Sequence, residues 1–291
     1  MELTLSFTNS QRSSTVTFPS AVEPKITEIV LFDMSHCNHS ITALSDKIRI
    51  TLVERETRKL VSATDLDVRS LLMNTSGCLE LNGVDSNSGS VVGLLNLQLK
   101  LHETHKQADV NDSGDIMIPE SEILLTEIEV ERRRNIDKNR LYRAYCERWS
   151  EEFNQISEIF KTRKQVLSVI DENNNLRSVN SFIPKLDASR VIASPRIAAR
   201  FVSCIEDVDS NDNLGHWRSY LSTALSKKCN SGSRACFLVG ILNNSFALDS
   251  WVVTGTKVEN GNLVQHCWVV QRDSGKRVTF IEPSSAKRYT G

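Results

Sequence analysis

Residues 119–160 constrain the fold most, because this long stretch contains no glycine and no proline after Pro119. Its first turn is acidic, basic residues come later, and apolar residues recur at helical spacing, namely Leu124, Ile128, Ile136, Leu141, Tyr145, Trp149 and Phe153. These features predict one long helix, or two helices in line. We interpret the basic run 132–134 as a solvated helix face. The helix would connect two regions rich in strands.

The residues before this helix have the pattern of an antiparallel β-sandwich. Apolar and polar side chains alternate in KITEIVLF, DKIRITLVE and GLLNLQLKLHE, and polar turn clusters separate these runs. Residues 105–118 are polar and acidic, which indicates a linker. We therefore predict a sandwich over 1–108, followed by an acidic linker and a helical connector over 109–180.

The last third of the chain, residues 181–291, is predicted to form an α+β domain. Ser194 and Pro195 form an N-cap and first-turn pair before one helix, and a second helix is predicted over 214–226. An apolar run, RACFLVGILN, comes next. Three strand patterns complete the region, joined by the turns VENGN and DSGK: SWVVTGTK, LVQHCWVVQR and RVTFIEP.

Charge and cysteine usage argue against several classes of function. Lys+Arg 35 against Asp+Glu 36 leave a formal net charge of -1, so no basic field exists to hold nucleic acid. No run approaches the roughly 18 apolar residues of a membrane span, and the first residues lack a signal-peptide pattern. The 7 cysteines are scattered without any CxxC pair. This predicts reduced thiols in a cytoplasmic protein.

Papain-like and transglutaminase-like thiol sites follow a fixed order along the chain: a helix comes first, then strands that carry a histidine and after it an acid. In such sites the helix N-terminus stabilises a thiolate, the imidazole takes its proton and the acid orients the ring. Here Cys236 lies in the apolar run, and His266 and Glu282 lie on two of the strands. His266 and Glu282 share a sheet face only if an odd number of residues joins their strands. Trp268 would line a cleft on that face, and Trp251 is a further cleft candidate.

Four stretches of the chain carry a family resemblance: ERRRNIDKNRLYRAYCERW, SPRIAARFVSCI, LDSWVVTGTK and HCWVVQRDSGKRVTFIEPSSAKRY. Together they resemble the centrosomal protein of 76 kDa family, which pairs a C2 domain with a transglutaminase-like domain. The resemblance runs over 131–291, and over the N-terminal region it rests only on strand pattern and position. Because chains of this family continue beyond the matching Lys-Arg-Tyr, it stays open whether the last domain is truncated.

The resemblance implies a degenerate thiol site. The family motif Gly-Asp-Cys-Glu-Asp-His-Ala starts the core helix, and counting back from the Gly-Thr-Lys strand places its cysteine on Gly232. Cys236 comes one helical turn later, inside an apolar run where burial raises the pKa of a thiol. His266 and Glu282 match the family's positions. The resemblance thus implies a His and acid remnant without a nucleophile, in a pseudoenzyme that uses no cofactor.

The implied role is a non-catalytic scaffold of the cytoskeleton, located at the centrosome, the centriole or the ciliary basal body. It would bind centriolar or ciliary proteins through the C2-like domain and the degenerate peptidase cleft. It would thereby limit centriole reduplication or support cilium assembly.

Two alternatives stay open. An active thiol peptidase or transglutaminase-like enzyme would use Cys236 or Cys229 with His266 and Glu282. A calcium-regulated membrane adaptor would use the loop DVNDSGDIMIPE at 109–120, which fits the calcium-loop template. Its candidate ligands are Asp109, Asn111, Ser113, Asp115 and Glu120. The segment before this loop has a strand pattern, which favours a linker over a calcium loop. We also expect the sandwich to be independent of calcium, so that contact of this domain with a membrane surface is the less favoured alternative.

Overall fold

The computed structural model describes residues 1–7, 13–21, 24, 26, 29–30, 47–73, 76–84, 90–98, 121–161, 165–208, 216–259, 261–272 and 277–290. Over these residues the chain is an α+β protein, with an N-terminal antiparallel sheet, a helical segment and C-terminal sheets, as predicted. Two compact units are present. The first comprises Met1–Leu52, Val61–Gly83 and Gly89–Glu147, and the second Val53–Leu60, Val84–Ser88 and Arg148–Gly291. The predicted domain boundaries at 108 and 180 stay predictions.

The N-terminal region contains a four-stranded sheet and a hairpin. The sheet has the order β2-β1-β3-β4 and is built from β1 Glu2–Phe7, β2 Ser13–Thr17, β3 Lys47–Val53 and β4 Leu60–Asp67. Helix α1, Val68–Met73, follows. The hairpin pairs β5, Ser76–Asn82, with β6, Val91–Gln98. The strand predicted at KITEIVLF is wrong at its described residues, since Ile26, Ile29 and Val30 are not in a strand.

The core of this region forms because β3 is an inner strand and is buried on both faces. It is built from Leu3, Leu5, Ile48, Ile50, Leu52, Val68 and Leu81. β6 alternates between exposed and half-buried residues along its second half, as expected for a strand with one face toward solvent. The alternating patterns DKIRITLVE and GLLNLQLKLHE therefore identify real strands.

Arg69 ties α1 to the long helix. Its guanidinium is buried and lies 2.7 Å from Asp67 and 2.5 Å from Glu131. The hydrogen bond to Asp67 is the main cause that raises the pKa of Arg69, against the opposing effect of burial, and Glu131 adds to it. Because a buried charge is tolerated only with such partners, this pair of carboxylates fixes the first half of the helix on the N-terminal region.

The predicted long helix is one continuous element, α2, Ser121–Ile156, followed by the short helix α3, Glu158–Lys161. Only Leu124 of α2 is buried, and residues 132–141 are all exposed. Glu129 pairs with Arg132 at 2.7 Å and with Arg133 at 3.0 Å. The basic run thus lies on a solvated part of the helix.

The C-terminal region begins with short elements: β7 Ser168–Asp171, β8 Leu176–Ser178, a 3-10 helix Val179–Phe182, α4 Pro195–Ser203, β9 Glu206–Asp207, β10 His216–Trp217, α5 Tyr220–Ser226 and β11 Lys228–Cys229. The side chain of Ser194 accepts a hydrogen bond from the backbone of Ile197, which confirms the predicted cap. The helix predicted over 214–226 begins late, because Ser219 caps it and His216 and Trp217 form a strand.

The apolar run of the sequence forms helix α6, Ser231–Phe246, which Asn230 caps by accepting from the backbone of Ser233. Every residue from 232 to 242 is buried, because α4 and the strands that follow cover the helix on several sides. Those strands form an antiparallel sheet in the order β12-β13-β14-β15. Their bounds are β12 Asp249–Glu259, β13 Asn262–Arg272, β14 Val278–Ile281 and β15 Arg288–Thr290.

Candidate functional site

His266 and Glu282 form a hydrogen-bonded pair on one face of the C-terminal sheet. Nε2 of His266 lies 3.0 Å and 2.9 Å from the two carboxylate oxygens of Glu282. Residues 273–277, an odd number, join β13 to β14, so the two side chains emerge on the same face. This arrangement leaves Nδ1 as the ring nitrogen that is not tied to the carboxylate.

Glu282 stays ionised far below the usual range of a glutamate. Burial acts to raise its pKa, but hydrogen bonds from His266 and from Ser284 outweigh that effect, and the pKa falls to about 2. The hydroxyl of Ser284 donates at 2.7 Å and its backbone N–H at 3.2 Å. The carboxylate is therefore a fixed negative charge that orients the imidazole.

Two tryptophans share the sheet face of this pair. The ring of Trp268 meets the imidazole edge to face, with centroids 4.7 Å apart. Trp251 is 42% exposed, and the guanidinium of Arg272 lies 5.2 Å above its ring. Both tryptophans that the sequence nominated for a cleft thus lie on the face of His266.

The cysteines nominated as nucleophiles lie on the other side of this sheet. Neighbouring residues of a strand point to opposite faces, so Cys267 and Val269 point away from the face of His266. Both are buried in the core that α6 forms, which also contains Cys236 and Cys229. The sulfur of Cys236 lies 4.0 Å from the carbonyl oxygen of Val179. The structure therefore does not bring either predicted nucleophile to the face that carries the imidazole.

Burial makes all three of these thiols poor nucleophiles. It raises the pKa of Cys229 and of Cys267 to about 11 each, and it raises that of Cys236 still further, with Cys267 adding to the effect. Because the thiolate is the reactive form of cysteine, these groups stay protonated and unreactive near neutral pH.

A cavity of about 270 Å³ lies at the start of α6. Its lining residues are mostly neutral and polar: Gln165, Val166, Ser168, Val169, Trp217, Asn230, Ser231, Gly232, Gln265 and Cys267. The residues on either side of His266 line it, whereas His266 itself points to the opposite face. The cavity thus lies on the face of β13 opposite to the imidazole.

The ring of Trp217 occupies the space beside Gly232, the residue onto which the resemblance places the nucleophile. A Cβ atom added to Gly232 would lie 2.2 Å from Cε2 and 2.3 Å from Cζ2 of the Trp217 ring. Trp217 is only 7% exposed and packs edge to face on Phe182, with centroids 5.7 Å apart. Glycine at 232 is therefore required by close packing. No local signal in the sequence indicates that Trp217 lies beside Gly232.

The two residues after Gly232 have structural contacts. The hydroxyl of Ser233 accepts from the backbone N–H of Arg218 at 2.7 Å. Arg234 is buried and donates to Asp207 at 2.7 Å and to the carbonyl of Ile205 at 2.6 Å. These bonds fasten the first turn of α6 to β9 and β10.

Among the residues that the structure describes, no group of three or more His, Cys, Asp or Glu side chains is placed to hold a metal ion. The candidate calcium ligands Asp109, Asn111, Ser113, Asp115 and Glu120 all lie outside the described residues. The calcium loop stays a prediction. None of the helices in the described part is long and apolar enough to cross a membrane.

Comparison with known proteins confirms the resemblance stated from the sequence. Residues 1–107 match the family described as the CEP76 C2 domain. Centrosomal protein of 76 kDa from Danio rerio is 30% identical over 96% of this chain and 44% of its own length. The Xenopus laevis protein is 29% identical over 99% of this chain and 44% of its own, and the Homo sapiens protein 27% over 86% and 38%. The chain thus spans less than half the length of these relatives.

The contact between Gly232 and Trp217 predicts a steric cost for any side chain at 232. Gly232→Ala should lower the free energy of unfolding by about 1–3 kcal/mol, because the added methyl group overpacks the core. In a Trp217→Leu background the same change should cost clearly less, which a double-mutant cycle by urea unfolding measures. Gly93→Ala is the control, since its Cβ would lie 4.0 Å from Leu81, an ordinary contact. Equal costs in both backgrounds would contradict the assignment.

The low pKa of Glu282 predicts an acid-dependent loss of stability. The pKa of Glu282 in the folded protein is about 2, below the usual value of about 4.3 for an unfolded chain. The ionised carboxylate therefore contributes its full stabilisation above about pH 4.3, and this stabilisation is lost as the pH falls toward 2. Glu282→Gln should therefore destabilise the protein at pH 6 and much less at pH 2.5, as measured by urea unfolding. Glu259→Gln, an exposed change in the same sheet, is the control. If the free energies of unfolding of the wild type and of Glu282→Gln change in parallel with pH, the low pKa of Glu282 is contradicted.

Proposed function

Because the chain is similar over nearly all of its length to the centrosomal protein of 76 kDa, we propose that it is a centrosomal scaffold without catalytic activity. Its location would be the centrosome, the centriole or the ciliary base. The single observation that carries this proposal is that the similarity extends through both compact units and includes a matching C2 domain. The role needs neither a cofactor nor a bound calcium ion.

The partners would be centriolar or ciliary proteins, bound through the C2-like domain and through the surface around the former thiol site. The polar cavity at the start of α6 and the tryptophans beside His266 offer two different surfaces of the C-terminal region for this purpose. Limiting centriole reduplication, or supporting cilium assembly, would follow from such binding.

Three features support a role without catalysis. The residue onto which the resemblance places the nucleophile is Gly232, and the ring of Trp217 fills the space beside it. The remaining thiols near α6 are buried, with raised pKa values. His266 lies on the opposite sheet face from Cys267, Cys236 and their core. A thiol enzyme needs the sulfur and the imidazole within hydrogen-bond reach, and these features separate them.

Location is tested by expressing the chain with a fluorescent tag in cultured vertebrate cells. We expect enrichment at the centrioles over the cytosol, measured against a centriolar marker. Leu238→Asp places a charge in the fully buried part of α6 and should reduce this enrichment by unfolding the C-terminal region. Leu263→Asp makes the same change at a side chain that is 75% exposed, so it should leave enrichment intact. A uniform cytosolic signal for the wild type would overturn the proposal.

The absence of a reactive thiol is tested by iodoacetamide labelling of the native protein, followed by mass spectrometry. Cys78 and Cys204 are exposed and should be alkylated first, whereas Cys229, Cys236 and Cys267 should react only after unfolding. Rapid labelling of Cys236 or Cys229 at neutral pH would favour the thiol enzyme instead. Labelling of all cysteines in urea provides the control for detection.

A further inference from the structure

One edge of the C-terminal sheet is open. β12 is the first strand in the order β12-β13-β14-β15, so among the described residues it has β13 on one side and no strand on the other. Its register with β13 is continuous from Asp249 to Glu259. β12 is also rich in β-branched residues, which favour strands. We propose that this edge of β12 pairs with the same edge of a second copy of the chain, so that the two sheets become one.

Asn243 identifies which backbone groups of β12 face the open side. Its side chain accepts from the N–H of Ser250 and donates to the carbonyl of Ser250, at 3.1 Å each. Both groups therefore point away from β13, and in a continuous register the groups of every second residue after Ser250 do the same. These residues are Val252, Thr254, Thr256 and Val258. In the described part of the chain no hydrogen bond reaches these groups from the open side. We call the stretch 252–258 the open edge.

The open edge lacks the features that usually protect an edge strand. Such features are prolines, bulges and inward-pointing charges. β12 has no proline and no break in its register, and Asn243 covers only Ser250. The charged residue of the open edge, Lys257, points to a sheet face and lies 3.5 Å from Glu259. The backbone groups along this edge are therefore available to another strand.

The open edge is self-complementary about Gly255. An antiparallel pairing with a two-fold axis at Gly255 brings open residue to open residue. Val252 then lies opposite Val258 of the other copy, and Thr254 lies opposite Thr256. Because each such pair exchanges two backbone hydrogen bonds, the contact contains about eight of them.

The side chains suit this pairing. Val258 is 72% exposed, and in the pair it gains contact with Val252, which packs on the core of the other copy. Threonines opposite each other form favourable cross-strand pairs. On the other sheet face, Lys257 lies opposite Val253, so like charges do not oppose each other at this position. Apolar, hydroxyl and charged residues thus all find compatible neighbours.

Several features favour a second copy over an unrelated strand. The second copy supplies a strand of the same length, with free backbone groups at the matching positions. In this pairing Glu259 also comes opposite Trp251 of the other copy. The guanidinium of Arg272 lies 5.2 Å above that ring and pairs with Asp249 at 2.6 Å, so it is close to Glu259 as well. This inference does not depend on the proposed centrosomal role.

The contact is one strand pair, so the dimer is expected to be weak. The open edge spans about 20 Å of strand, and such a pair buries less than the roughly 1,200 Å² of a standard interface. We expect a dissociation constant on the order of 10 micromolar. The wild type would then be a mixture of monomer and dimer at tens of micromolar protein.

Proline substitution tests whether the backbone of β12 makes the contact. Thr256 is exposed and its N–H points away from β13, so Thr256→Pro removes a group that the fold does not use. By symmetry the change disrupts the contact twice. Sedimentation equilibrium of the full chain should show the dimer weakened at least tenfold, with an unchanged circular dichroism spectrum. Thr256→Ala keeps the N–H and is the control, which should stay within about threefold of the wild type.

A charge at the edge provides a second test that leaves the backbone intact. Val258→Asp places a carboxylate against the apolar Val252 of the other copy and should weaken the dimer about tenfold. Leu263→Asp is the matched control, because Leu263 is 75% exposed and is the partner of Val258 on β13, one strand away from the edge. It should leave the dissociation constant unchanged.

Amide hydrogen exchange, followed by NMR, identifies the edge itself. As the protein concentration rises from 5 to 200 micromolar, exchange at Thr254, Thr256 and Val258 should slow several-fold, because these N–H groups become bonded. Exchange at Val253 and Lys257, which bond to β13 in the monomer, should not change. A wild type that stays monomeric at 100 micromolar would overturn the proposal. So would a dimer that Thr256→Pro leaves intact, or protection that appears at β15 instead of the open edge.

Discussion

The packing of α6 against the sheet β12 to β15 determines the rest of the C-terminal region. Eleven consecutive residues of this helix, 232–242, are buried, so the elements around it have to supply matching surfaces on several sides. Cys267, Val269 and Ile281 are the sheet's part of this core. Once they point at the helix, strand alternation sends His266 and Trp268 to the other face. The location of the imidazole is thus a consequence of how the hydrophobic core is filled.

The same packing keeps the pair of His266 and Glu282 apart from the start of α6. The hydrogen bond between His266 and Glu282 has the geometry that orients a catalytic ring, and Glu282 is held ionised. The start of α6 has a cap and a polar cavity. These parts lie on opposite faces of one sheet. Each is well formed by itself, and they correspond to the two separate surfaces that we propose for binding.

Much of this architecture could be predicted from the sequence, because the signals are local. The long helix α2 follows from a stretch without glycine or proline, and the cap at Ser194 follows from the Ser-Pro pair. The shared face of His266 and Glu282 follows from the odd number of connecting residues. The contact of Trp217 with Gly232 could not be predicted, since it joins two elements whose approach depends on the whole core. Which side of the sheet α6 covers could not be predicted either, because β13 has apolar or small residues on both faces.

The close approach of Trp217 to Gly232 bears on what building a thiol site at this helix start would require. Introducing a sulfur at 232 would first require a smaller residue at 217. The imidazole would then have to change faces, which demands a one-residue shift of β13 and would move Cys267 and Val269 out of the core. No single substitution achieves both changes, since the first concerns the contact of β10 with α6 and the second concerns β13. A thiol site at the start of α6 would therefore require coordinated replacements in β10, α6 and β13.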